Sequence, residues 1–287
     1  MESVELLKNN GVDIEKSLEL FGDMETYNDT IGEFLLGANE KLPKLEMFKN
    51  NKDMPNYAII VHSLKSDAKY FGFTKLAELA YEHEMKSKEN DYYYVYSHYD
   101  ELMTEANRIV HLVKQYMGQE PVTNMAVQTE NTQRVTENDS QEEVLTMTEE
   151  GQAVEHYNEK TILVADDSNI VRNFVRRIFE GKYKVGAAKD GREAIDLIEA
   201  NKDSGMIVGL LLDLNMPEVD GFAVLEYMKQ NKLFTNVPVS IISGDSTKAT
   251  IDKAYVYPIV DMLGKPFNES DVKSVVEKTI YMKELNS

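Results

Sequence analysis

The sequence contains no cysteine among its 287 residues. Disulfide bonds and thiolate metal sites are therefore excluded, although this absence leaves the cellular compartment open. Basic residues are also few, because 31 lysines and arginines face 50 aspartates and glutamates, for a formal charge of −19. Nucleic-acid backbones attract basic surfaces, so we expect no direct nucleic-acid binding and an output that runs through protein contacts.

Long apolar runs are missing as well. A membrane-spanning helix needs about 20 consecutive apolar residues, and no run in the sequence approaches that length. The first residues, MESVELLKNN, lack the basic and then apolar segments of a signal peptide. We therefore expect no membrane insertion and a cytoplasmic location. The length is sufficient for about two domains, so two segments are to be sought.

The first part of the chain has helical periodicity and almost no strand signal. Apolar residues recur at spacings of three and four in IEKSLELF, YNDTIGEFLLGANEKL, YAIIVHSLKSDAKYF, TKLAELAYEHEMKS and YSHYDELMTEANRIVHLVKQYM. This pattern predicts an all-α antiparallel helix bundle over residues 1–118. From 119 to 158 the periodicity disappears, and QTENTQRVTENDSQEEVLTMTEEG has Arg134 as its single basic residue. We predict a flexible acidic linker there.

The remaining residues, 159–287, alternate between short apolar runs and helical patterns. The runs are TILVADD, YKVGAA, MIVGLLLDL, VPVSIISGD and VDMLGK, and the helical patterns include IVRNFVRRIFE, REAIDLIEA and FAVLEYMKQ. Such alternation predicts an α/β domain with a doubly wound, five-stranded parallel sheet covered by helices on both faces. The protein is thus expected to be multidomain.

Polar residues follow several of the predicted strands. They are Asp166 and Asp167 after the first strand, Asp213 at the end of the third, Ser243 and Gly244 after the fourth, and Lys265 and Pro266 after the fifth. Taken singly, the acids are explained as a helix cap or an Asx turn. Ligands of parallel sheets bind at the carboxyl ends of the strands, however, where three carboxylates would repel one another unless a cation joined them. Carboxylate oxygens suit Mg²⁺.

These residues, in this order, resemble the receiver domain of two-component response regulators, from about Lys160 to the last residue. The resemblance implies a flavodoxin-like fold in which Asp213 is the phosphoacceptor. It also implies that Asp167, Asp213 and the backbone carbonyl of Asn215 bind Mg²⁺ directly and that Asp166 acts through a water. The same resemblance gives the phosphoryl oxygens two further contacts, the ammonium of Lys265 and the hydroxyl of Ser243.

One residue departs from the receiver pattern, and one other family uses similar residues. Receivers often carry Tyr or Phe three residues before the lysine, whereas Met262 stands here, so a switch that moves an aromatic side chain is not expected. Haloacid-dehalogenase-like phosphatases use a related set of residues but place the nucleophilic Asp after the first strand, with the acidic pair last. In this chain the pair comes first and Asp213 follows, which favours the receiver.

His62 lies in VHSLKSDAKYFG, where it shares one predicted helical face with Lys65, Ser66 and Lys69. On this reading Val61, Leu64, Ala68 and Phe71 form the opposite, apolar face. We expect an exposed imidazole that is largely neutral and nucleophilic at pH 7, beside lysines that offset the charge of an incoming phosphoryl group. The remaining histidines have no such surroundings and are predicted to be ordinary surface or core residues.

The stretch around His62 resembles the histidine phosphotransfer (HPt) domain, whose motif is H-x-L-K-G-x-A with a later glycine. His62, Leu64, Lys65 and Ala68 match, as does Gly72. Ser66 replaces the glycine of the motif, and Asp67 occupies a position that is usually small. The resemblance implies that His62 carries a phosphoryl group, and we expect Ser66 to crowd a docking receiver and to slow transfer.

The sequence thus predicts a phosphorelay protein that accepts a phosphoryl group on Asp213 and carries or exchanges it at His62. No nucleotide-binding loop occurs in the sequence, so the donor is expected to be a sensor histidine kinase or another receiver or HPt protein. With Mg²⁺, self-phosphorylation from a small phosphodonor is also expected. As a flexible coil the linker would span about 35 Å, which favours transfer within one chain. The alternative is a phosphorylation-switched receiver whose inert bundle binds a protein partner.

Overall fold

The structure is a computed structural model that describes residues 3–121, 155–245 and 247–285. Six helices precede residue 118, and they are α1 (Val4–Asn9), α2 (Ile14–Phe21), α3 (Met24–Asn50), α4 (Met54–Tyr70), α5 (Thr74–Lys88) and α6 (Tyr92–Tyr116). The prediction that this region is helical is confirmed. The sequence pattern missed α1, because six residues with one buried side chain, Leu7, are too few to show a period.

Aspartate caps set the starts of most of the helices in this bundle. The side chains of Asp13, Asp23, Asp53 and Asp91 accept hydrogen bonds from backbone N–H groups in the first turns of α2, α3, α4 and α6. The α4 to α5 turn requires Gly72, whose φ is +71° and whose Cβ, if present, would lie 2.2 Å from the carbonyl oxygen of Asp13. Helices α3 and α5 each pack against both α4 and α6, so α4 belongs to the central four-helix group.

The second domain is the predicted five-stranded parallel sheet. Its strands have the order β2-β1-β3-β4-β5, with α7 and α11 on one face and α8 and α9 on the other. The elements are β1 (Thr161–Ala165), α7 (Asn169–Phe179), β2 (Lys184–Ala188), α8 (Gly191–Asn201), β3 (Ile207–Asp213), α9 (Gly221–Gln230), β4 (Val239–Ser243), α10 (Lys248–Ala254), β5 (Met262–Gly264) and α11 (Glu269–Leu285).

The second domain begins earlier than residue 159. Tyr157 is 4% exposed and packs in the core, where Gly186 leaves room for its ring because a Cβ there would lie 2.1 Å from the tyrosine oxygen. The backbone N–H of Tyr157 also donates to Asn201 over 2.6 Å. Residues 155–158 therefore belong to the domain and not to the predicted linker, most of which lies outside the described residues.

The two domains are in contact, and their apolar cores are continuous. Buried side chains of the bundle form one cluster with those of α7, α11 and the neighbouring strands. Phe21 meets Phe174 of α7 edge to face at 5.9 Å between ring centroids, and Tyr70 meets Phe267 in the same way at 5.9 Å. Helix α4 therefore lies between the core of the bundle and the carboxyl edge of the sheet. Throughout the described ranges, no helix has the length and apolar character needed to cross a membrane.

Candidate functional site

Three carboxylates meet at the carboxyl edge of the sheet, as predicted. Asp166 and Asp167 directly follow β1, and Asp213 is the last residue of β3, the neighbouring strand. One oxygen from each lies within 4.8 Å of the others. Asp166 and Asp213 are fully buried and Asp167 is half-buried. Three hard oxygen donors at this separation fit a small divalent cation such as Mg²⁺.

Lys265 lies among these acids. Its Nζ is 2.5 Å from an oxygen of Asp166 and 2.6 Å from one of Asp213, and its side chain is 2% exposed. Burial alone would lower the pKa of Lys265, but the two carboxylates raise it above its ordinary value. Burial, with the charges of Asp213 and Asp167, raises the pKa of Asp166 to about 7 against the effect of Lys265. The ammonium of Lys265 thus does not offset the negative charge of all three carboxylates.

Backbone groups hold the carboxylates in place. The N–H of Asn215 donates to Asp213 over 3.1 Å, and the N–H of Ser168 donates to Asp166 over 3.0 Å. Gly221 permits the tight return of the loop, because a Cβ there would lie 2.1 Å from the carbonyl oxygen of Asp213. The predicted role of the Asn215 carbonyl as a metal ligand stays a prediction.

Ser243 lies on β4, next to β3, and Met262 lies on β5, the edge strand that pairs with β4. The hydroxyl of Ser243 is buried at the end of β4 and accepts from the N–H of Asp245 over 3.1 Å, while its carbonyl accepts from the N–H of Lys265 over 2.8 Å. The serine therefore belongs to the same edge as the acids. Met262, at the start of β5, is half-buried and packs against the apolar cluster on the face of the sheet that α8 and α9 cover.

The predicted exposure of His62 is wrong. Its side chain is buried, with 2% of the residue exposed, because α4 is covered by the bundle on one side and by the second domain on the other. Its Nδ1 lies 2.7 Å from an oxygen of Glu84 on α5. The ammonium of Lys65 lies 3.3 Å from the same nitrogen, but the carboxylate is closer and can only accept. Nδ1 therefore carries the proton when the ring is neutral, and Nε2 keeps its lone pair.

The free nitrogen of His62 faces the second domain. Nε2 is buried and has no hydrogen-bond partner, and a Cβ added to Gly244 would lie 2.9 Å from it. Gly244 follows Ser243 directly in the loop after β4. The structure therefore brings the candidate histidine of the bundle to the edge of the sheet that carries the acids.

The other predicted residues of α4 are spread around His62. Lys65, also buried, lies 2.5 Å from the second oxygen of Glu84. Lys69 is half-buried, and burial together with the charge of Lys65 lowers its pKa. The hydroxyl of Ser66 is buried without a hydrogen-bond partner. The apolar face of Val61, Leu64, Ala68 and Phe71 is buried as predicted.

Sequence reasoning missed Glu84, which organises this histidine. Burial alone would raise the pKa of Glu84, but the hydrogen bond from His62 and the nearby Lys65 lower it strongly, so it is ionised. Lys88 adds a second ammonium group 2.7 Å from it. Its signal in the sequence is an acid on a helix face of small residues, since Ala77, Ala80 and Ser87 share that face and are buried.

An open cleft of about 760 Å³ reaches the acidic site between the two domains. From the bundle it is lined by Lys41, Lys44 and Ile60, and from the second domain by Asp167 and Arg172, among others. A small ion or molecule therefore has a path to Asp167 while the domains are in contact. The other histidines lie away from the site, with His83 buried inside the bundle and His98, His111 and His156 exposed.

Comparison with known families identifies the second domain. The model of the response regulator receiver domain matches residues 162–277. The two-component response regulator ORR3 of Oryza sativa subsp. indica is 28% identical over 123 residues, which cover 42% of this chain and 92% of that protein. ORR5 of Oryza sativa subsp. japonica is 27% identical over 120 residues, covering 42% and 87% respectively.

Solved structures are also similar to part of this chain. The chemotaxis protein CheY4 of Vibrio cholerae is 21% identical with a TM-score of 0.38, covering 42% of this chain and 98% of that one. A CheY-like receiver domain protein of Methanospirillum hungatei JF-1 is 22% identical with a TM-score of 0.40, covering 45% and 99%. The residues matched by the family model all lie in the second domain.

Proposed function

We propose, from the receiver domain that residues 162–277 form, that the chain is a two-component phosphorelay protein whose bundle is a histidine phosphotransfer domain. Asp213 accepts a phosphoryl group in the receiver, and His62 carries or exchanges it in the bundle. The observation that carries this proposal is the unpartnered, buried Nε2 of His62, which faces Gly244 beside the receiver's acidic site.

The receiver chemistry follows from its charges. Asp166, Asp167 and Asp213 would hold Mg²⁺, together with the carbonyl of Asn215. When bound, the ion supplies positive charge that offsets and orients the phosphoryl oxygens. Lys265 now pairs with two of the acids, and its ammonium would then turn to a phosphoryl oxygen, with the hydroxyl of Ser243 donating to another.

The transfer between His62 and Asp213 balances without an added proton. An oxygen of Asp213 forms a bond to phosphorus, the bond from phosphorus to Nε2 breaks, and the electron pair returns to Nε2. While phosphorylated at Nε2 and protonated at Nδ1, the ring is cationic. Glu84, 2.7 Å from Nδ1, keeps that proton in place and offsets the charge. Lys65 and Lys69 favour the arriving phosphoryl group.

Labelled phosphate tests the assignment. With acetyl phosphate and Mg²⁺, we expect label on Asp213 that disappears in chelator and in Asp213→Asn. In the wild type, part of the label should reach a group that is stable to base and labile to acid, as phosphohistidine is, and His62→Gln should remove only that part. Full labelling of Asp213→Asn, or no loss in His62→Gln, would contradict the respective assignment.

The shared apolar core favours one other function, a receiver whose phosphorylation changes the contacts of an inert bundle. Buried apolar groups of both domains form one core, which is typical of a permanent contact. In that case Asp213 is labelled and no acid-labile fraction appears in any variant. Under either function the phosphoryl group comes from a histidine kinase or from another receiver or phosphotransfer protein.

A further inference from the structure

Asp67 of α4 lies buried at the boundary between the two domains. Its residue exposure is 2%, and its two oxygens have different partners. Oδ2 forms an ion pair with the ammonium of Lys41 on α3. Oδ1 accepts a hydrogen bond of 2.8 Å from the hydroxyl of Ser168, which belongs to the receiver. One oxygen is thus satisfied within the bundle and the other across the interface.

The bundle is shaped to hold this carboxylate. Lys41 is only 8% exposed, so it neutralises Asp67 in surroundings where an unpaired charge would be costly. Gly37 leaves the space, because a Cβ there would lie 3.3 Å from Oδ2 of Asp67. The carboxylate is thus held in one orientation within the bundle, and Oδ1, which has no partner in the bundle, meets the receiver.

Ser168 makes an unusual use of its hydroxyl. It is the N-cap residue of α7, a position where serine ordinarily accepts a hydrogen bond from the first turn of its own helix, but here its side chain makes no such bond. The hydroxyl donates instead to Asp67. The hydroxyl of Ser168 therefore forgoes a hydrogen bond within its own helix and instead donates to the oxygen of Asp67 that has no donor within the bundle.

The other contacts between the domains are less selective. The rings of Phe21 and Phe174 and those of Tyr70 and Phe267 meet edge to face, an arrangement that any apolar surface of similar shape would satisfy. The hydroxyl of Tyr70 also accepts from the backbone N–H of Phe267 over 3.4 Å, but a backbone donor does not depend on which side chain the receiver carries there. Arg177 approaches Asp29 at 4.0 Å on the exposed rim, where ion pairs contribute little. The hydrogen bond between Asp67 and Ser168 is buried and directional, and it requires a hydroxyl at one position.

We propose that Asp67, held by Lys41, is a specificity-determining residue that selects receivers with a hydroxyl residue directly after the acidic pair, and so selects the receiver of its own chain. A receiver with an apolar residue there would leave one oxygen of a buried carboxylate unpaired. That this selection serves phosphotransfer rests on the proposed function, but docking of the two domains can be measured with no phosphate present.

Hydrogen exchange in the intact chain tests the proposal. The backbone N–H of Phe267 donates across the interface to the hydroxyl of Tyr70, at 3.4 Å, so its exchange rate reports undocking. We expect Ser168→Ala to speed that exchange roughly tenfold, because losing one buried hydrogen bond to a charged group shifts the docking equilibrium by about that factor. Ser204→Ala, which removes a serine hydroxyl bonded within the receiver, is the matched control and should change nothing.

A rescue experiment separates recognition from general damage. Ser168→Asp places two carboxylates together and should open the chain, with faster exchange at Phe267 and a larger radius of gyration in X-ray scattering. Adding Asp67→Asn should restore both values, because an amide can donate to the new carboxylate. Unchanged exchange in Ser168→Ala, or failure of this rescue while thermal unfolding shows both domains folded, would overturn the proposal. Loss of phosphohistidine would not affect either result.

Discussion

At the scale of single residues, Gly244 sets how closely the two domains approach. A Cβ there would lie 2.9 Å from Nε2 of His62, closer than nonbonded carbon and nitrogen atoms pack. We expect Gly244→Ala to push the imidazole away and to slow transfer between His62 and Asp213 by at least about tenfold, since overpacking costs about 1–3 kcal/mol. Rapid-quench measurement of label passing between the two residues checks this expectation.

The matched control for that change is Gly264→Ala. A Cβ at Gly264 would meet no atom within 4 Å, so this variant adds the same methyl group to the receiver without touching the bundle. Labelling by acetyl phosphate should persist in both variants. Equal transfer rates in Gly244→Ala and the wild type would show that the imidazole does not need this approach.

Glu84 is the second residue whose role is local and testable. Its hydrogen bond to Nδ1 of His62 is charge-assisted, and such bonds contribute about 1.5–3 kcal/mol. We expect Glu84→Gln to lower the rate of phosphorylation at His62 by roughly tenfold or more, because the amide is neutral and offsets no cationic ring. Glu89→Gln, at an exposed surface ion pair with Lys86, should leave that rate unchanged, and a similar loss in both would refute a specific role.

At the scale of helices, His83 connects three elements of the bundle. Tyr57 of α4 lies 2.8 Å from its Nδ1, and its Nε2 lies 3.3 Å from the carbonyl of His98 on α6. Burial lowers the pKa of His83 from 6.5 to about 4. Between pH 6.5 and about 4, His83 is therefore protonated in the unfolded chain and neutral in the folded bundle. The free energy of unfolding falls as the pH falls through this range.

The size of this pH effect can be measured. From pH 7 to pH 5, His83 should account for about 2 kcal/mol of lost unfolding free energy. Urea titrations of the wild type, His83→Gln and the exposed-site variant His98→Gln would test it. We expect the pH dependence to shrink in His83→Gln alone. Equal slopes in all three would mean that another group is responsible.

Helix α4 also holds Ser66, one turn after His62. Its hydroxyl is buried without a hydrogen-bond partner, so removing it breaks no bond of the folded chain. We expect Ser66→Gly to speed transfer at His62 by relieving crowding. The same change should lower the stability of the helix by up to about 1 kcal/mol. Ser66→Ala separates the two effects, because it removes the oxygen but favours the helix. Slower transfer in both variants would show that the hydroxyl assists the phosphoryl group instead.

At the scale of the whole molecule, the contact between the domains predicts transfer within one chain. The transfer rate should be independent of protein concentration, as expected for a tethered pair with an effective concentration in the millimolar range. Mixing the His62→Gln chain with the Asp213→Asn chain makes the only functional pair intermolecular. In that mixture we expect a slower rate that rises with concentration. Equal rates for the mixture and the wild type at low concentration would contradict transfer within the chain.

The sequence by itself determined most of the helices and strands and the receiver's acidic site. Short apolar runs, apolar spacings of three and four, and the order of polar residues after strands are local patterns, and parallel strands bring their carboxyl ends to one edge. Asp166, Asp167 and Asp213 could therefore be placed together in advance. The sequence also indicated His62 through its spacing from the lysines, although spacing shows which residues share a face and not what covers that face.

What only the tertiary structure decided is the surroundings of α4. Both of its faces are buried, because the receiver covers the one that an isolated amphipathic helix would expose to water. Glu84, Asp67 and Ser168 gain their roles from contacts over 22 and 101 positions along the chain. Such pairings arise from the free energy of packing two domains, which no local period encodes, so the setting of His62 could not be predicted from its neighbours in sequence.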